Sequence, residues 1–126
     1  VRKNLRLLLH ILRTCERPLL PVRVRMAHAR DVPGEWGHVY LYENEAGRPR
    51  DFVIKIRRNR MLRERKTLLH EWAHALTWQE GRAVRDHGTE FRSTLRRLER
   101  HYLRQDRAIE ALEEHKRARK ARKKAS

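Results

Sequence analysis

Leu5, Leu8, Leu9 and Leu12 fall three and four positions apart near the start of the chain, and Cys15 is next in the stripe. That spacing lays one apolar face along a helix over residues 3–16. Asn4 stands where a cap belongs, and Pro18 and Pro21 end the helix. Cys15, on the stripe, is expected to be buried as a small apolar side chain. The period then shortens to two. Residues 22–26, VRVRM, read as a short strand with Val22, Val24 and Met26 on one face. Residues 28–36 form a loop around the Pro33-Gly34 turn signal. Residues 37–43 (GHVYLYE) and 51–57 (DFVIKIR) read as two further strands joined by a hairpin connection over 44–50. Pairing them sets Val39 and Leu41 opposite Phe52, Ile54 and Ile56. The three strands are expected to form an antiparallel meander.

Helical spacing returns with Leu62, Leu69, Trp72, Ala73 and Leu76. Asn59 is placed to cap this helix, which should reach at least Trp78, and Gly81 is placed as its C-cap. Residues 82–88 carry no period. From Thr89, a candidate N-cap, the spacing resumes through Phe91, Leu95, Leu98, Tyr102, Ile109 and Leu112. One gap leaves two shapes open, a single rod or a kink near Gln105-Asp106. The last twelve residues, HKRARKARKKAS, hold seven Lys/Arg and no acid. They read as a charged helical extension or a disordered tail. The expected class is α+β: an N-terminal helix, a small antiparallel sheet of about three strands, a central helix, and a long C-terminal helix with a basic tail. Residues 1–114 form one domain and 115–126 the tail.

A chain of 126 residues holds one modest core. All eight Trp, Tyr and Phe residues lie between 36 and 102, which places that core. The formal charge of +16 is spread along the chain: residues 1–66 carry 17 Lys/Arg against 7 Asp/Glu, and residues 67–126 carry 15 against 9. Such a field favours a polyanionic partner, DNA or another nucleic acid. The single cysteine excludes an intrachain disulfide and a four-cysteine zinc ribbon. No apolar run approaches the ~20 residues that span a bilayer. Leu5–Leu12 follows Arg2 and Lys3 like a signal peptide, yet Arg17-Pro18 follows it instead of a small-residue cleavage site. A cytoplasmic protein with no membrane association is expected.

The chemistry concentrates in residues 70–74, His-Glu-Trp-Ala-His. Positions i and i+4 of a helix share a face, so His70 and His74 can aim at one metal ion, with Glu71 beside it as a general base. A catalytic Zn2+ takes three protein ligands and keeps one open position. His87, separated from His74 by twelve residues and followed by Gly88, is the best third ligand; Glu90, Asp86 and His101 are alternatives. Two histidines on one face with a carboxylate between them differ from an isolated, hydrogen-bonded core histidine. His10, His28, His38 and His115 lack such spacing, although His28 or His38 could lie on the substrate side. Tyr102 or His101 is a candidate to stabilise an oxyanion if the last helix passes close.

The stretch LLHEWAHAL followed by DHGTEF resembles the SprT-like zinc metalloprotease domain, which includes bacterial SprT-like proteins and the Spartan proteases that degrade proteins crosslinked to DNA. The family's pattern is HExxH, a gap, then a third histidine in an HGxxF-like element. Here these are His70, Glu71 and His74, then His87, Gly88 and Phe91. The resemblance implies three zinc-ligating histidines, Glu71 as catalytic base and a minimal zincin-like fold. It covers most of residues 3–105 and is specific over 68–91. The chain departs from many relatives in lacking a zinc ribbon. The expected function is a zinc-dependent endopeptidase that cleaves unfolded or DNA-associated polypeptide by attack of zinc-bound water. The alternatives are a nucleic-acid-binding protein with a non-catalytic zinc site, or a small metallopeptidase specific for one regulatory partner.

Overall fold

A computed structural model describes residues 3–104 and 106–125, without the side chains of residues 4, 106–110, 112 and 113. The Asn4 cap and the Ile109 and Leu112 side chains of the apolar pattern therefore lie outside the described residues, as does Gln105. The first helix, α1, spans Lys3–Cys15. Strands β1 (Val22–Ala27), β2 (Gly37–Glu43) and β3 (Pro49–Arg57) follow, then helices α2 (Met61–Thr77), α3 (Thr89–Tyr102) and α4 (Asp106–Ala125). The architecture is mixed α+β, with a three-stranded sheet and helices at both ends of the chain. Among the described residues no helix is long and apolar enough to cross a membrane.

The sheet departs from the expected antiparallel meander. Its order is β1-β3-β2. β2 and β3 form the antiparallel hairpin, with Val39 opposite Ile54 and Leu41 opposite Phe52. β1 lies on the other side of β3 and runs parallel to it, Val22 opposite Phe52 and Met26 opposite Ile56. The reason lies in β3, which buries Phe52, Val53, Ile54 and Ile56 on both faces and so takes the centre. β1 exposes Arg23 and Arg25 and is suited to an edge. The hairpin turn is built by Asn44, whose side-chain oxygen accepts from the amides of Ala46 and Arg48. Gly47 supplies the positive φ, +77°, that the turn needs.

Helix α2 packs on the β2–β3 half of the sheet and against both α1 and α3. Leu5, Leu8, Leu9 and Leu12 of α1, Phe52, Ile54 and Ile56 of β3, Leu68, Leu69 and Trp72 of α2, and Phe91 and Leu98 of α3 form one core. Glu16, just past α1, ties three helices together. Its carboxylate accepts from both terminal nitrogens of Arg97 (3.1 and 2.8 Å) and from the Tyr102 hydroxyl (2.9 Å). Its backbone carbonyl accepts from the Trp72 indole at 2.8 Å.

Several local expectations shift. Cys15 is exposed, because the stripe covered by the core stops one turn earlier at Leu12. The N-cap position of α2 is Arg60, one residue past Asn59. Asn59 lies just outside: its side chain accepts from the Arg60 amide, and its own amide donates to Glu64. Helix α2 stops at Thr77, and Trp78 leaves the helical path to pack edge-on against Phe52. Gly81, at φ +88°, serves a separate turn over residues 79–82. Gly88 precedes α3 as its N-cap, and Thr89 is the first helical residue. Of the two shapes left open for the C-terminal helix, the break is the one found, with α3 ending at Tyr102 and α4 starting at Asp106. The basic tail continues α4 as helix to Ala125, exposed at every residue from Glu114 onward.

Candidate metal centre

Helix α2 sets His70 and His74 one turn apart, their ring centroids 5.1 Å from each other. The segment between α2 and α3 brings His87 back to them, 5.5 Å from His70 and 4.7 Å from His74. One ligand atom from each of the three lies within 4.8 Å of the other two. The Nε2 atoms of His74 and His87 are 3.0 Å apart. Phe91, in the first turn of α3, lies beneath the group. Its ring stacks on His74 at 4.1 Å and 15° and meets His70 and His87 at 5.0 and 4.9 Å. The floor is apolar and closed, since Phe91 and His74 are both buried.

The donor set fits zinc. Nitrogens bound at ~2.0–2.1 Å to one tetrahedral ion lie roughly 3.3 Å apart, close to the 3.0 Å between the His74 and His87 Nε2 atoms. Metal ligation also needs neutral imidazole. Burial holds the His74 pKa down, to about 3, and His70 and His87 push the same way. Burial likewise lowers His70. Both are therefore neutral at pH 7 and ready to ligate.

Glu71, the residue after His70 on α2, lines the same cleft as His70. It is 2% exposed, and its Oε2 has no hydrogen-bond partner among the described residues. Burial raises its pKa to about 7, while the charge of Arg85 and a hydrogen bond from the Val39 backbone amide act in the opposite direction. The carboxyl thus sits where a small change in surroundings moves its proton. β2 comes this close because Gly37 has no side chain: a Cβ there would stand 2.4 Å from Thr67 Cγ2 and 3.0 Å from the Lys55 carbonyl.

A cleft of about 430 Å³ opens over His70 and Glu71, walled by Glu35, Trp36 and Gly37 before and on β2, and by Arg63 and Thr67 on α2. Arg57 and Arg63 lie over the half-exposed ring of Trp36, at 5.5 and 5.1 Å. Across the mouth, Arg85 Nη1 meets Glu35 Oε1 at 2.6 Å and His38 Nδ1 at 2.8 Å.

Of the four residues singled out by spacing, His70, His74 and His87 are thus brought together, and Glu71 lines the cleft that opens over His70. The alternative ligands are committed elsewhere: Asp86 accepts from the Gly88 amide, and Glu90 pairs with Arg82 at 3.1 Å. His101 is exposed and edge-on to Tyr102. The Tyr102 hydroxyl is bound to Glu16, with its pKa pushed up to about 12 by burial and by that bond, so it is not free to meet an oxyanion. His10, His28 and His115 are exposed, while His38 stands at the cleft mouth with Arg85. Arg85 and Glu35 were not apparent from the sequence, because fifty positions separate them. The one available signal was the position of Arg85 two residues before His87.

An α+β domain in which a helix and the following segment converge three imidazoles in the neighbourhood of a buried carboxylate is of the metallopeptidase-like class. The model of the SprT-like family matches residues 52–115, just over half of the chain. The protein belongs to the SprT-like family. No curated protein and no solved structure matches the chain.

Proposed function

We propose that this protein is a zinc-dependent endopeptidase that cleaves unfolded or extended polypeptide, with Glu71 as catalytic base and His70, His74 and His87 as zinc ligands. The observation that carries the reading is the buried Glu71 oxygen, without a hydrogen-bond partner among the described residues, in the cleft it shares with His70, one of three converging imidazoles. A structural zinc has no use for such a base and is normally closed by a fourth ligand. Zinc held there would supply Lewis acidity, lowering the pKa of water and polarising a peptide carbonyl. Glu71 takes the proton from the attacking water and passes it to the departing amine. The Val39 amide holds the carboxylate in place, and Phe91 fixes the plane of His74. β2 is an edge strand beside Glu71, so an extended peptide can pair with its free backbone groups with little demand on sequence.

The field of +16 and the exposed basic end of α4 support contact with nucleic acid. So does Trp36, flanked by Arg57 and Arg63 at the cleft rim. In this reading residues 1–114 are the peptidase domain, and 115–126 tether it to DNA in the cytoplasm. The same charge also favours a second reading, a nucleic-acid-binding protein whose zinc is not catalytic. Wild type and Glu71→Gln separate the two. About one zinc per chain by elemental analysis is expected in both, with cleavage of an unfolded protein by wild type alone, measured with and without single-stranded DNA. Zinc in both and cleavage by neither would move the assignment to the binding protein.

A further inference from the structure

Peptide hydrolysis builds negative charge on the carbonyl oxygen, and the candidate donors Tyr102 and His101 lie away from the cleft. Three cations line the cleft, Arg63, Lys66 and Arg85; Arg63 lies over Trp36, and Arg85 is held at the mouth by Glu35 and His38. The charge of Arg85 is the one felt most by the Glu71 carboxyl, and it also acts on His70 and His74. Building on the peptidase reading, we infer that Arg85 is a catalytic residue that donates a hydrogen bond to the oxyanion of the peptide being cleaved.

Three observations support this assignment. The guanidinium is held from one side: Nη1 gives its bonds to Glu35 and His38, at 2.6 and 2.8 Å. His38 Nδ1 also lies 2.9 Å from Glu35 Oε2, and it can either accept from Arg85 or donate to Glu35, one at a time. These two side chains therefore position Arg85 without using its remaining donors. An arginine has five N–H groups, and Nε, although buried, has no partner among the described residues. Finally, the cation is anchored to both walls of the cleft, by its backbone to the segment that carries His87 and by its side chain to Glu35 before β2. A donor fixed in this way before the reaction needs no reorganisation as charge appears, which is the condition under which such donors act most strongly.

The step balances without a proton from Arg85. The water oxygen bonds to the carbonyl carbon, and the carbonyl π pair moves onto oxygen, where the guanidinium stabilises it. The water proton goes to Glu71 and then to the amine as the C–N bond breaks. Glu35 and His38 are positioning residues, since they act through Arg85.

The test uses zinc-loaded wild type, Arg85→Ala, Arg85→Lys and Glu71→Gln. It measures zinc content, kcat and KM on an unfolded protein, and affinity for a phosphinic peptide, a tetrahedral anion mimic, against that for the matching uncleaved peptide. For Arg85→Ala, zinc should stay near one per chain and KM should change less than about threefold, while kcat falls about 10²–10³-fold. Phosphinic-peptide affinity should fall with kcat, affinity for the uncleaved peptide should not, and added guanidinium should restore part of the rate. Arg85→Lys should recover less than full activity, because lysine cannot keep the two anchoring bonds and present a further planar donor. Loss of zinc together with activity would assign Arg85 to placing His87 and overturn the inference, as would a kcat near wild type. If wild type cleaves no faster than Glu71→Gln, the peptidase reading fails, and equal phosphinic-peptide affinity in wild type and Arg85→Ala then overturns the role of Arg85 as well.

Discussion

Gly37 shows how a single missing side chain serves the site. The strand that orients Glu71 through the Val39 amide can approach α2 only because position 37 is bare. A methyl group there meets Thr67 Cγ2 and the Lys55 carbonyl, and the carbonyl cannot swing away as a side chain can. Gly37→Ala should cost about 1–3 kcal/mol in urea denaturation. Adding Thr67→Ser, which removes the clashing Cγ2, should recover part of that loss; a double variant no more stable than Gly37→Ala would place the strain elsewhere. At this scale the legible residues were those set by helix geometry. His70, Glu71 and His74 share one turn, so their spacing alone puts them together. His87 could be read through Gly88 and the distance back to α2. Arg85 could not, because its meaning depends on Glu35, which nothing local ties to it.

Among the elements, the junction of α1, α2 and α3 rests on Glu16. The Arg97 hydrogen bonds hold the Glu16 carboxyl below its usual range, against a smaller opposing effect of burial, and the Tyr102 hydroxyl adds to the lowering. The folded value thus lies under the unfolded 4.5. Stability from this ionised group is complete above about pH 4.5 and is lost as pH falls through the lowered folded value. Arg97 is partly exposed, so the contribution is modest, about 1 kcal/mol. Glu16→Gln should melt below wild type at pH 7, and the gap should narrow as the pH falls below 4.5 and through the lowered folded value. A gap that persists into acid would mean that Glu16 acts through packing instead. The existence, order and type of the elements were legible, as was the β2–β3 register, because hairpin partners are neighbours in sequence. The parallel pairing of β1 was not. Alternation shows that a segment is a strand and which face it buries, but not which neighbour it joins or in which direction. The burial of β3 on both faces, visible as FVI with Ile56, was the one hint that it belongs in the middle.

Across the whole molecule, charge separates recognition from chemistry. Ending the chain after residue 114 removes seven Lys/Arg, lowering the formal charge from +16 to +9. If the tail tethers nucleic acid, this truncation should flatten the dependence of single-stranded DNA affinity on salt, by roughly 0.7 in the log–log slope for each phosphate that the tail would have neutralised. Zinc content and cleavage of a free unfolded substrate should stay unchanged. An unaltered salt slope in fluorescence anisotropy would assign nucleic-acid contact to the body, where Arg57, Arg63 and Trp36 cluster. Composition made this field legible and left its form open between helix and coil, since Ala, Lys and Arg favour helix while the charge and the lack of larger apolar residues favour coil. Such titrations need a reporter, and Cys15 supplies one. The exposed thiol, the single cysteine of the 126 residues, lies at the end of α1 and has no part in the imidazole cluster. A maleimide dye would therefore couple once per chain and leave the metal ligands untouched. By the same count, air oxidation can join two copies through this sulfur and no more.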